Sequence, residues 1–92
     1  MPAVDEGWTT IGPNQSQDWF IHGFDSKTAV VYSMVVFGAP APGVLNPQGD
    51  ATLSQGRYVK HVDGTWGTVI TIRNNAPFNP VDVHLIGMED SI

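Results

Sequence analysis

The chain contains no cysteine. Neither a disulfide nor a thiolate metal site can staple the fold, and no thiol nucleophile is available. Basic residues are scarce, four Lys and Arg against nine Asp and Glu, for a net charge of -5. A phosphate backbone demands clustered cations, so nucleic acid is not an expected partner. No apolar run approaches the roughly 20 residues that a membrane-spanning helix needs. The opening MPAVDEGW lacks a basic segment followed by an apolar run, so no signal peptide is expected and the chain is read as soluble. There is no G-x-S-x-G elbow, and no spacing that would bring a nucleophile, a base and an orienting group together, which points away from an enzyme. A sustained 3.6-residue period is also missing, so no substantial helix is expected.

What the chain does have is strand chemistry. Thr28 to Phe37, TAVVYSMVVF, is dominated by β-branched and aromatic residues and reads as a central strand. Side chains alternate across a strand, so Val30, Tyr32, Met34 and Val36 share one face, while Ala29, Val31, Ser33, Val35 and Phe37 share the other. Both faces are largely apolar. A strand in a small antiparallel protein usually shows one face to water, so this one calls for a second cover.

Around it the punctuation is regular. Trp8 to Ile11 forms a first strand after a loosely held acidic start, ended by Gly12-Pro13-Asn14. Gln17 to Phe24 forms a second, and the short polar Asp25-Ser26-Lys27 predicts a hairpin that makes strands two and three neighbours. A long Pro- and Gly-rich loop follows, with a brief edge strand near Ala51 to Leu53. Arg57 to Val62 and Thr65 to Arg73 flank Asp63-Gly64, which predicts a two-residue turn placing His61 opposite Trp66 on the core face and Tyr58 on the outer one. A longer loop taking in Thr65 to Gly67 would shift the pairing at Trp66 by a residue or more. Val81 to Met88 closes the chain, with Val83 and Leu85 inward and Asp82, His84 and Ile86 outward. The expectation is one all-β domain over residues 1–92. It is a small antiparallel β-sandwich of about six strands, immunoglobulin-like or jelly-roll-like, with a flattened barrel as the close alternative.

The chemistry-bearing residues are few. His22, His61 and His84 show no spacing that preassembles a metal face, so neither a metal nor a cofactor is expected. Asp82 and His84 fall two apart on one strand face, and read as a surface pair. The loop Asp and Asn residues lack the alternating pattern of a helix-loop-helix calcium site. Three Trp, two Tyr and four Phe in so short a chain, with amide-rich loops, resemble the toolkit of sugar-binding modules. There, aromatic faces stack on sugar rings and amides bond hydroxyls.

The functional expectation is therefore a non-enzymatic binding module, carbohydrate-binding and lectin-like, acting as a homo-oligomer that multiplies weak sites by avidity. Its ligand site would lie at loop ends, drawing on Trp8, Asn74 and Asn75. Its oligomer interface would use Phe20, His22, Val31, Val35 and Phe37. A structural assembly protein, whose apolar second face is its interface, is the alternative. A membrane-active β-protein is weaker because of the acidic charge.

Overall fold

The computed structural model describes residues 3–91. Seven strands follow in order: β1 (Ala3–Ile11), β2 (Ser16–Phe24), β3 (Thr28–Gly38), β4 (Ala51–Gln55), β5 (Val59–Lys60), β6 (Trp66–Asn74) and β7 (Val81–Ser91). No helix occurs among the described residues. The strands form two antiparallel sheets, a front sheet ordered β1-β7-β3 and a back sheet ordered β2-β6-β4, with β5 also paired to β6. This is the expected small β-sandwich. Its first two strands lie in opposite sheets, unlike the immunoglobulin pattern in which they share one.

The hairpin expected between strands two and three does not form. Phe24 and Thr28 are separated by only three residues, yet β2 pairs with β6 in the back sheet and β3 with β7 in the front. The connection Asp25-Ser26-Lys27 crosses between sheets, with Asp25 Oδ1 accepting from the Lys27 N–H at 2.9 Å and the Thr28 hydroxyl at 2.9 Å. The apolar inner faces of both strands decide the matter. Paired as a hairpin in one sheet they could not cover each other; set in opposite sheets they close on a common core.

That core comprises Ile11, Val30, Tyr32, Ile70, Ile72, Val81, Val83 and Leu85, with Trp19, Ile21, Phe24, Met34, Val36, Leu53 and Tyr58 packed against it. The inward sets read from the alternation of TAVVYSMVVF and of the last strand are the ones found inside. The first strand is longer than expected: it starts at Ala3, where the sequence predicted a loosely held segment, and is bent by a bulge between Asp5 and Gly7. Met1 and Pro2 lie outside the described residues.

The β5–β6 turn differs from expectation by one residue. His61 N–H donates to Thr65 O at 2.7 Å and Gly64 N–H to His61 O at 3.0 Å. The loop is thus the three residues Val62-Asp63-Gly64, with Gly64 alone at positive φ (89°), as in a type I turn closed by a left-handed glycine. The two-residue alternative needs positive φ at Asp63 too. Instead its carboxylate accepts from the Thr65 N–H at 2.9 Å and the Thr65 hydroxyl at 2.6 Å, a local capping that stabilises the longer loop. Val59 now faces Gly67, and Lys60 faces Trp66. One residue of register exchanges faces. Tyr58 therefore turns inward, where its hydroxyl accepts from Val30 N–H at 2.5 Å across the sandwich, and His61 turns outward.

The crossover from β6 to β7 is held by two buried amides. Asn74 Nδ2 donates to the carbonyls of Ile11 (3.0 Å), Gly12 (3.1 Å) and Asn79 (3.0 Å), while its Oδ1 accepts from Ala76 N–H at 2.7 Å. Asn79 exchanges bonds with the Gln48 backbone, both at 3.0 Å. Removing the Asn74 amide strands several buried backbone groups, each costing about 1–3 kcal/mol. Asn74→Ala is expected to lose about 3 kcal/mol, read as a lower urea midpoint with an unchanged slope. A midpoint equal to that of the parent protein would show that this side chain does not carry the crossover.

Candidate functional site

The outer face of the back sheet gathers residues that are remote in sequence. β2 projects Phe20 and His22 outward, and the register of the β5–β6 loop brings His61 and Asp63 to the same place. His22 Nδ1 lies 3.2 Å from Asp63 Oδ2, and His61 Nδ1 lies 3.2 Å from Asp63 Oδ1. The two imidazoles stack with centroids 4.4 Å apart, and Phe20 packs on both, at 5.3 Å and 5.2 Å. Gly67, opposite His22 on β6, makes the close approach possible, because a Cβ there would stand 2.7 Å from the His22 Cβ.

Thr65 ties the group together. Gly23 N–H donates to its Oγ1 at 3.1 Å, and the Thr65 hydroxyl donates to Asp63 Oδ1. The Thr65 hydroxyl and the Thr65 N–H, both donating to Asp63 Oδ1, and then the His61 ring hold the Asp63 carboxyl well below the usual carboxylate range. Beside the cluster, at the end of the sandwich, opens a cleft of about 660 Å³ lined by His22, Phe24, Asp25, Thr65, Trp66 and Glu89 among others.

A second aromatic group stands on the outer face of the front sheet. Trp8 stacks on His84 at 4.5 Å and on Phe37 at 6.0 Å. His84 Nε2 contacts Asp5 Oδ1 at 2.8 Å, and this bond, then that from Gly7 N–H, lowers the pKa of Asp5. Asp82 and His84 share that face as an ordinary surface pair, and Asp82 accepts from the Thr10 hydroxyl at 2.7 Å. The ladder across three strands gave each of them a nearer partner.

The loop-end ligand site drawn from the sequence does not come together. Trp8 is exposed but lies on a sheet face. Asn74 is fully buried, with its amide bonded inside the sandwich, so it faces no ligand, and Asn75 is partly buried, with its N–H donated to Asp50 O at 2.9 Å. The five expected interface residues divide between two surfaces. Val31, Val35 and Phe37 lie outside the front sheet, while Phe20 and His22 lie outside the back one, because β2 and β3 belong to different sheets.

The cluster of His22, His61 and Asp63 was missed from the sequence because no short-range spacing joins His22 to the other two. The legible signal was His61-x-Asp63 at a turn.

Asp63 also carries a pH signature. Its folded pKa lies below the ordinary 3.8, so its contribution to stability is fully present above that value and is lost as pH falls through the folded one. Asp5 and Asp25 are shifted the same way. Glu6 is raised, by burial first and then by Glu89 and Asp5, and opposes them by losing its contribution as pH rises above its ordinary 4.5. The melting temperature is expected to fall as pH drops below 3.8, and to fall less steeply in Asp63→Asn. Parallel profiles for the two proteins would remove Asp63 from the account.

Comparison with protein-family models, with curated proteins and with solved structures finds no match to this chain.

Proposed function

We propose that the protein is a non-enzymatic binding module that self-associates through the outer face of its front sheet. The observation that carries this reading is the exposure there of Trp8 (57%), Val31 (61%), Val35 (42%) and Phe37 (52%). They lie on β1 and β3, on either side of β7, whose outward Ile86 and Met88 are half-buried between them. Apolar side chains grouped across three strands of one face, with the Asp5–His84 pair among them, mark an interaction surface. A second copy of the chain is the occupant that fits a flat patch, because a two-fold contact sets the same surface on itself.

Magnitudes set the strength. Burying four half-exposed side chains gains on the order of 1 kcal/mol each, and a two-fold contact counts them twice, roughly 8 kcal/mol gross. Association costs about 4–15 kcal/mol, so the dimer is weak and depends on concentration. Light scattering over a rising concentration series is expected to show a mass climbing from the 9.9 kDa of one chain toward twice that, and Val35→Lys should hold it at the monomer because a charge would be buried unpaired. A constant monomer mass up to about 1 mM would sink the self-association reading.

A glycan-binding reading is favoured by a separate observation, the end cleft in which the Trp66 ring lies with the carboxylates of Asp25 and Glu89. Its volume of about 660 Å³ is within the range of small-ligand sites. A saccharide panel followed by amide NMR shifts is expected to perturb residues 23–28 and 64–66, with Trp66→Ala abolishing the response. Silence across the panel would remove the glycan-binding reading.

A further inference from the structure

We propose that His22, His61 and Asp63 form a binding site for a borderline divalent cation, with zinc as the type ion. The three side chains offer two nitrogens and a carboxylate whose ligand atoms all lie within 4.8 Å of one another. Around a tetrahedral zinc, with bonds of about 2.0–2.2 Å, ligand atoms stand about 3.4 Å apart. Each imidazole already has a nitrogen 3.2 Å from an Asp63 carboxylate oxygen, His22 from Oδ2 and His61 from Oδ1, so gathering both nitrogens and one of these oxygens around an ion takes rotation of exposed side chains and no movement of the strands. Hard cations such as calcium and magnesium prefer all-oxygen shells, and the two imidazoles select against them.

The supports around the ligands are those a metal site needs. Thr65 holds Asp63 Oδ1 through its hydroxyl and its N–H, and its oxygen is held in turn by Gly23 N–H on β2. The chain segment carrying two ligands is thereby locked to the strand carrying the third. This makes Thr65 a positioning residue. Phe20 walls one side of both rings. The ligand side chains remain 32–43% exposed, which leaves an entry path and room for water or a partner's group to complete the coordination. Three ligands with an open position is the arrangement of accessible zinc sites, whereas closed structural sites use four.

This inference is independent of the front-sheet association, since the cluster lies on the opposite sheet. The test is calorimetric and NMR titration of zinc chloride into the full chain at neutral pH. One ion per chain is expected, with shifts centred on the His22 and His61 rings and on the amides of residues 61–66. His22→Ala and His61→Ala should each weaken binding at least about tenfold, and Thr65→Val about 10- to 100-fold. Because the ligands bind metal deprotonated, acidification should weaken it too.

His84→Ala, which removes the histidine of the other sheet, should leave the affinity unchanged. All these positions are at the surface, and circular dichroism checks that each variant folds. Zinc should also raise the melting temperature of the parent protein but not of the double variant His22→Ala/His61→Ala. Undiminished binding by that double variant, or no saturable binding up to about 1 mM zinc, overturns the proposal.

Discussion

The structure depends on the apolar core shared by β6 and β7, the two strands that have neighbours on both sides. Ile70 and Ile72 of one and Val81, Val83 and Leu85 of the other belong to one cluster, all fully buried. At about 1.5–3 kcal/mol for each such side chain, these five contribute roughly 10 kcal/mol, the scale of a whole domain's net stability. With no disulfide to restrict the unfolded chain, that burial has to be secured by accurate positioning. The connection running from Asn74 to Asn79 supplies it, because their amides satisfy the backbone of the segment as it passes from one sheet to the other.

The outer strands take their places from that centre. β1 and β3 pair on either side of β7, and β2 and β4 on either side of β6, so each outer strand inherits an inner face that completes the core and an outer face with no such duty. On the front sheet the outer face is filled by aromatic and β-branched side chains, with Trp8, His84 and Phe37 in a stack. On the back sheet it carries Phe20, His22 and His61. The candidate activities divide accordingly: an apolar surface suited to a second copy of the chain on one side, and a cluster of metal-ligating groups on the other.

Much of the fold was legible in local pattern. The period-2 alternation of TAVVYSMVVF and of VDVHLIGM placed Val30, Tyr32, Val83 and Leu85 inside, as found, because alternation is a property of a single strand and needs no knowledge of its neighbour. The left-handed Gly64 was likewise readable, since few other residues adopt that φ freely. The candidate sites were less so. Asn74 carries the composition of a ligand-binding turn, but whether an amide faces solvent or backbone depends on what the crossover lies against. His61 looked like a core-face residue under a two-residue turn, and one more residue in the loop carried it outside.

The sequence by itself determined the strand content, the punctuation, the inward sets of β3, β6 and β7, and the absence of any thiol or clustered basic chemistry, because each follows from residue type and short-range spacing. Tertiary structure decided which strands are neighbours, that β2 and β3 part into different sheets, that Asn74 is a structural hub, and that His22 meets His61 and Asp63. Those outcomes rest on competition between alternative pairings of similar local quality, and only the closing of both sheets over one common core distinguishes among them.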